Sequence, residues 1–171
     1  RRIAIPDRIR LRGTAGADKG AFSAASTLST DGGEIALQGQ LDTRSEAYEI
    51  ELRCDSFPLN RFLPADSLGL LDLALQAGGS GFDPLRAQTR GNIRLQVDRA
   101  DFRGRDFGGV ELNANLEGGQ LSGRLSDRDE ALRLLLLVSG TLTERKQEVR
   151  LTGNVFDFDL AELGISPQKI G

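Results

Sequence analysis

Histidine, tryptophan and methionine are absent from the 171 residues, and cysteine and tyrosine occur once each. Without an imidazole, catalytic schemes, metal sites and neutral-pH switches that need histidine are excluded. The single Cys54 excludes an internal disulfide framework and a CxxC zinc or redox motif. Aromatic residues make up 5% and hydrophobic residues 39% of the chain, so its apolar content is mostly aliphatic and sufficient for a folded protein.

Charge of one sign and long apolar runs are also scarce. The 22 basic and 25 acidic residues give a net charge of -3, which does not favour a nucleic-acid-binding surface. The longest purely apolar run, 134–138, is far shorter than the roughly 20 residues that span a bilayer. No basic segment followed by an apolar one opens the chain. Because it begins at Arg1, we expect residues 1–171 to be one β-rich fragment of a longer protein.

Alternation of apolar and polar residues dominates the sequence. In the segment 48–54, for example, Tyr, Ile, Leu and Cys alternate with Glu, Glu and Arg. A period of two predicts strands with one apolar and one wet face. Turn-forming residues separate these strands at 31–33, 78–79, 108–109, 118–119 and 144–147. Such short links exclude parallel crossovers, so the sequence predicts an all-β antiparallel meander of nine or ten strands.

Several glycines lie in phase with the apolar residues of these strands. A glycine on the apolar face removes side-chain volume and eases bending. This placement favours a strongly curled sheet with a narrow aliphatic interior. An ordinary sandwich whose glycines mark bulges explains the same periodicity, and both architectures remain open at this point. The in-phase residues are Gly13, Gly39, Gly123, Gly140 and Gly153.

Two short segments are predicted to be helical. The first, 57–63, ends before Pro64, and the second, 159–163, ends at Gly164. Both are too short to be stable alone, so each is expected to cover a sheet edge or the open end of a core. The side chains expected to be buried in them are Leu59, Phe62, Leu63, Leu160 and Leu163.

The sequence also contains an internal repeat. A shift of 101 residues brings 8–63 onto 109–164 and superposes most apolar positions. It also places Gly39 on Gly140 and Phe57 on Phe158, which alternation alone does not require. The shift predicts a unit of about 100 residues, several strands closed by a short helix, of the kind that stacks into elongated proteins.

The remaining polar motifs predict no active site. The glycine-rich segment 78–81 lacks the Gly-Lys-Ser/Thr ending of a phosphate loop and is predicted to be a flexible turn. The Asp-x-Asp pairs 127–129 and 157–159 are assigned to a turn and to a helix start rather than to a metal site. Alternating arginines and aspartates in 98–106 indicate a solvated loop, and Cys54 is predicted to be a buried, inert thiol. We therefore expect no catalytic residue, no metal, no cofactor and no enzymatic activity.

Four stretches carry a resemblance to a known family. They are 41–52, 57–64, 81–85 and 155–163, and they show Gly-punctuated, Leu-rich strands with a recurring segment of the type Asp-x-Leu-x-x-Leu/Phe-Gly/Pro after a strand. This texture resembles the AsmA-like proteins, and among them the TamB-like translocation and assembly module (the DUF490 type). The resemblance implies a β-taco or repeating-β-groove fold, a sheet folded over an apolar channel.

The same resemblance implies a place in the cell. Such proteins are anchored in the inner membrane of diderm bacteria and extend into the periplasm. They are linked to lipid transfer between membranes and, with a barrel partner, to outer-membrane biogenesis. For this chain, the expected partners are therefore phospholipid acyl chains and an outer-membrane barrel protein.

The apolar phase of neighbouring strands defines the candidate binding residues. We expect ten side chains to face one interior, a trough on the order of 45 Å long across ten strands. The predicted lipid-binding groove consists of Leu37, Ile50, Leu52, Leu73, Leu75, Leu95, Leu112, Leu134, Leu136 and Leu151. The residues expected outside, in water, are Arg10, Glu51, Arg53, Arg94, Glu111 and Asn113.

Two other functions remain open from the sequence. The strands could assist the assembly of outer-membrane β-proteins by adding a client strand to an exposed sheet edge. The chain could also be a plain structural or adhesive β-sandwich repeat, in which the apolar face is only a core. Cavity geometry separates the groove from the filled core.

Overall fold

The computed structural model describes residues 8–62, 68–102, 105–128 and 132–158. Nearly every described segment with alternating polarity forms a β-strand. The strands are β1 (Ile9–Asp18), β2 (Ala21–Thr30), β3 (Glu34–Asp42), β4 (Ala47–Pro58), β5 (Leu68–Ser80), β6 (Arg90–Phe102), β7 (Arg105–Asp106), β8 (Val110–Glu117), β9 (Gln120–Arg128), β10 (Leu132–Leu142) and β11 (Gln147–Phe158).

All strands belong to one antiparallel sheet in which neighbours in sequence are neighbours in space. Ten strands follow one another along the pairing path, and the two-residue β7 pairs with β6 beside that path. The sheet is curled but not closed. The predicted all-β meander is therefore confirmed, and the ten strands of the path match the expected number.

The tight turns follow their residue chemistry. Lys19-Gly20 and Gly118-Gly119 are two-residue hairpin turns in which both residues have positive φ. This geometry is the type I′ turn, which matches the twist of the flanking strands and favours glycine or asparagine. The other three residues of these two turns are glycines. Lys19, at φ 45, has a side chain, which makes the left-handed conformation unfavourable.

The expected turn at Gly78-Gly79 is wrong. Both glycines lie inside β5, where they pair with β4 on one side and β6 on the other. The chain reverses instead over 81–89, and the buried Thr89 hydroxyl donates to the carbonyl oxygen of Asp83 at 2.6 Å. The glycines serve close packing within the sheet: a Cβ on Gly79 would meet the backbone of β6 and lie 2.8 Å from the Tyr48 hydroxyl.

Two further segments expected as loops or turns are strand. β6 continues to Phe102, so most of the charged segment 98–106 is paired backbone rather than a solvated loop. β9 continues to Arg128, and Asp127 is 5% exposed. In both places charged side chains masked the strand signal, because polarity patterning alone cannot distinguish a loop from a strand whose charges are paired.

Three aspartates bind backbone amides, two of them where the strands bulge and the third, Asp106, where β7 meets β6. The register shifts between Cys54 and Phe57 on β4 and between Leu68 and Leu71 on β5. Each bulge removes an amide from the ladder, and a buried amide without a partner is costly. Asp72 accepts from the Ser56 amide, Asp101 accepts from the Leu70 amide at 3.1 Å, and Asp106 accepts from the Ala100 amide at 3.0 Å.

The predicted helix at 57–63 is a shorter element. Leu59–Arg61 forms a single 3-10 turn, and Leu59 and Phe62 are half-buried rather than buried. Phe57, 3% exposed, stacks on Phe62 with ring centroids 4.8 Å apart. Arg61 pairs with Asp31 at 2.8 Å and fixes this turn to the β2–β3 connection. Leu63 and the predicted second helix, 159–163, with Leu160 and Leu163, lie outside the described residues.

The internal repeat stays a prediction. Four-strand meanders, β1–β4 and β8–β11, begin and end the sheet in the order that the repeat requires. Their turns, however, are not displaced by 101 residues, since Lys19-Gly20 corresponds to Gly118-Gly119. This turn is displaced by 99 residues (118 minus 19) rather than 101, and because the difference is even the same side chains stay on each face.

The architecture lacks a second layer among the described residues. Among the residues whose burial is described, the buried apolar ones are Cys54, Phe57 and Pro58, and each strand packs mainly on its neighbours in the sheet. The described part of the chain is therefore not a filled sandwich. Its apolar face lies open.

Candidate functional site

The apolar face of the sheet is the candidate site. The pairing registers place all ten residues of the predicted groove on this one face. Side chains directly opposite each other on paired strands share a face, and so do side chains two residues apart on one strand. These two relations connect all ten residues. Their role in lipid binding stays a prediction.

A ladder of leucines crosses the middle of this face. Seven leucines on seven consecutive strands of the pairing path lie directly opposite one another, over about 29 Å at the usual strand spacing. Leu125, two residues after the in-phase Gly123, is not among the ten predicted groove residues, although it completes the row. The ladder consists of Leu37, Leu52, Leu75, Leu95, Leu112, Leu125 and Leu136.

A row of mostly small side chains, which we call the furrow, lies beside the leucine ladder. It is the next row of the same face and lies two residues after the ladder residue on one strand and two residues before it on the next. Its members are Ala15, Ala24, Gly39, Ala77, Ala114 and Gly123, with Ile50 and Ile93 between them. Bulkier residues, including Phe22, Leu41, Tyr48, Leu116 and Leu121, form the row on its other side. At β1–β4 the furrow opens into a mostly apolar depression of about 530 Å³.

Tyr48 shapes the far side of the furrow. Its hydroxyl lies where a Cβ on Gly79 or Gly91 would come within 2.8 or 3.1 Å of it, so the ring extends across both glycines. An aromatic side chain over strand glycines restores packing that the glycines lack. Phe82 stacks beside Tyr48 with centroids 6.4 Å apart and is 54% exposed. The two rings form an aromatic corner at this end of the face.

Exposure shows that nothing in the described chain covers this face. Leu37 is 43% exposed, Ile93 45% and Leu151 63%. The leucines of the central strands are half-buried by their neighbours in the sheet alone. Contiguous exposed apolar surface of this kind makes the face a candidate interaction site.

The opposite face is polar over most of its area. All six residues predicted to lie outside, Arg10, Glu51, Arg53, Arg94, Glu111 and Asn113, lie on it. The exception is the β10–β11 edge, where Leu135 and Leu137 lie on the otherwise polar face. Sequence reasoning missed this, although the unbroken run 134–138 signals a strand that is apolar on both sides.

Few polar groups interrupt the apolar face. Cys54 is 5% exposed, and its burial, with Asp55 and Asp72 nearby, raises the pKa of the thiol. Asp127 lies in the row of Leu134 and is buried there. Within the described ranges, no three acidic, cysteine or histidine side chains come close enough to hold a metal ion. Nor do these ranges contain a helix long and apolar enough to cross a membrane.

Comparison of the chain with protein-family models, with curated proteins and with solved structures found no match. The class is therefore defined by the fold and the face alone. The chain is an all-β protein with one open antiparallel sheet, apolar on one side and largely polar on the other.

Proposed function

We propose that this chain is a non-enzymatic segment of a lipid-handling protein and that its apolar face binds acyl chains. The observation that carries the proposal is the uncovered leucine ladder with the furrow beside it. Leaving the side chain of a Leu or Ile in water costs roughly 1.5–3 kcal/mol relative to burial, so a face of this size needs an occupant.

Acyl chains fit the chemistry of the face. Their transfer from water to an apolar surface gains about 0.8 kcal/mol per CH₂ and needs no directed polar contact. The furrow runs across the strands, so a chain lying in it would contact the leucine ladder on one side and the Tyr48 row on the other. A surface that binds without polar selection suits a carrier of many lipids.

The cellular setting that we propose rests on the resemblance to TamB-like proteins. In that setting the chain is part of a periplasm-spanning protein of a diderm bacterium, anchored in the inner membrane. It would conduct phospholipid between membranes and, with an outer-membrane barrel partner, serve outer-membrane biogenesis.

Neighbouring residues on opposite faces provide the test. A photo-reactive phenylalanine analogue at Ile93 lies on the apolar face, whereas the same analogue at Arg94 lies on the polar face. After illumination with phosphatidylglycerol and phosphatidylethanolamine vesicles, mass spectrometry should find phospholipid attached at position 93 and not at 94. Equal labelling, or adducts only to the chain itself, would return the apolar face to a structural or adhesive role.

Strand augmentation is the second candidate, and the sheet edge supports it. Every residue of β1 is exposed, and its outer edge has no partner strand among the described residues. Long unprotected edges of this kind accept an added strand. Leu11→Lys with Thr14→Lys, two β1 residues outside the furrow and the leucine ladder, should prevent the capture of an unfolded barrel protein while leaving lipid capture at position 93 intact. If the double variant instead lost lipid capture but still captured the barrel protein, the result would favour acyl-chain binding over strand augmentation.

A further inference from the structure

The polar face contains a depression that the acyl-chain proposal does not use. It has a volume of about 430 Å³ and lies where β6, β8 and β9 run side by side. We call it the polar basin. Residues 92–94, 113–115 and 122–124 line it; Ile93, Ala114 and Gly123 belong to the furrow row of the apolar face, and the polar-face side chains are Asn92, Arg94, Asn113, Asn115, Ser122 and Arg124.

Strand register brings these six side chains together. One row of the polar face consists of Arg94, Asn113 and Arg124, directly opposite one another on three strands. The neighbouring row consists of Asn92, Asn115 and Ser122. Beside Asn92 the next strand carries Gly78, which has no side chain to fill that flank. The basin is thus a property of the pairing and not of a flexible loop.

The charge of the polar basin is unbalanced. No carboxylate lines it. Arg94 donates its Nε–H to Asn113 Oδ1 at 3.2 Å, which holds the guanidinium in place and leaves its terminal nitrogens available. Within 8–62, 68–102, 105–128 and 132–158, no acidic group pairs with Arg124. By contrast, the nearby Arg90 pairs with Glu117 at 3.6 Å.

We propose that the polar basin binds an oxyanion carried on a polyol, such as the phosphate or carboxylate of an acidic saccharide. A guanidinium forms paired hydrogen bonds with an oxyanion, and two of them flank the basin. The amides of the asparagines and the Ser122 hydroxyl donate to and accept from sugar hydroxyls. The ligand lies across three strands, with its anionic group at the arginine row and its hydroxyls at the asparagine row.

Calorimetric titration with four small ligands tests both halves of this inference. Glucose 6-phosphate and glucuronate carry an oxyanion on a polyol, glucose is the neutral polyol, and inorganic phosphate is the anion alone. The first two should bind at least tenfold more tightly than the last two. Equal binding of glucose would refute the role of the arginines, and equal binding of phosphate would refute the role of the asparagine row.

Matched variants locate the site. Arg124→Gln and Arg94→Gln each remove a charge from the basin and should weaken glucose 6-phosphate binding at least tenfold. Arg53→Gln, also exposed on the polar face but on β4, should leave it unchanged. A similar loss in all three variants would indicate diffuse charge attraction and overturn the site. Phospholipid capture at position 93 should persist in every variant, because that proposal concerns the other face.

Discussion

At the scale of the residue, glycines of the same face have opposite structural roles. Gly39 lies in the furrow, where an added Cβ would meet nothing closer than the Glu49 carbonyl oxygen at 3.8 Å. Gly79 lies beneath Tyr48, where a Cβ would collide with the Arg90 carbonyl oxygen. Sequence reasoning placed Gly39 on the apolar face but took Gly79 for a turn, because the contact that requires Gly79 comes from other strands.

Alanine at these two glycines should change stability in opposite directions. Gly39→Ala reduces the freedom of the unfolded chain without a clash and should raise the free energy of unfolding by about 0.4–1 kcal/mol. Gly79→Ala forces β5, β6 and Tyr48 apart and should lower it by about 1–3 kcal/mol. Urea denaturation measures both. Equal effects would contradict the position of Tyr48 across the β5 glycine.

The Lys19 turn allows a second stability prediction. Lys19 has φ 45 in a type I′ turn, a conformation that costs an ordinary L-residue roughly 1–2 kcal/mol. Asparagine tolerates this region, so Lys19→Asn should raise the free energy of unfolding, measured by urea denaturation, by about 1 kcal/mol. The control is Lys146→Asn, which lies in a turn but does not have a left-handed backbone conformation. This variant loses the ion pair with Glu148 and should not be more stable than the parent. Stabilisation by both variants would point to charge rather than turn geometry.

At the scale of the element, the strands were predictable and their irregularities were not. Period two assigned each side chain to a face, and a sheet needs only that pattern to place the leucine ladder. The bulges at Cys54–Phe57 and Leu68–Leu71 have no local signature, since they depend on which aspartate of a neighbouring strand reaches the unpaired amide. Long-range pairing also explains why 98–102 and 105–106, which were expected to form a loop, are strand.

Asp101 makes the stability of the β5–β6 bulge depend on pH. Hydrogen bonds from Arg99, at 2.9 Å, and then from the Leu70 amide lower the pKa of Asp101. A carboxyl whose pKa is lower in the folded state stabilises that state above its unfolded pKa, near 3.8. That contribution is lost as the pH falls through the lower, folded value.

Asp101→Asn should therefore lower the urea midpoint at pH 7, and the difference from the parent should shrink between about pH 5 and pH 2. Asp18→Asn, at the exposed end of β1, is the matched control and should follow the parent at every pH. A constant difference between Asp101→Asn and the parent across that range would show that Asp101 acts by shape rather than by charge.

At the scale of the whole molecule, the open sheet is the feature that sequence periodicity could not fix. A curled trough and a filled sandwich have the same alternating pattern, because periodicity records that a face must be covered but not what covers it. The low aromatic content and the in-phase glycines favoured the trough, and the described chain has one layer. The apolar face therefore has to find its cover outside the described residues, which makes its occupancy a measurable property of the molecule.

Filling the furrow should separate binding from folding. Ala114 lies in the furrow between Ile93 and Gly123, in reach of the Gly123 position and at the centre of the sheet. Phenylalanine there adds apolar volume to an open face, so Ala114→Phe should keep the free energy of unfolding in urea within about 1 kcal/mol of that of the parent. It should weaken the binding of a fluorescent fatty acid such as cis-parinaric acid at least tenfold, because the added ring occupies the path of the chain. Asn113→Phe, the adjacent position on the polar face, is the control and should leave that affinity unchanged. Undiminished binding by Ala114→Phe would show that the acyl chain does not follow the furrow, even if the leucine ladder still holds it.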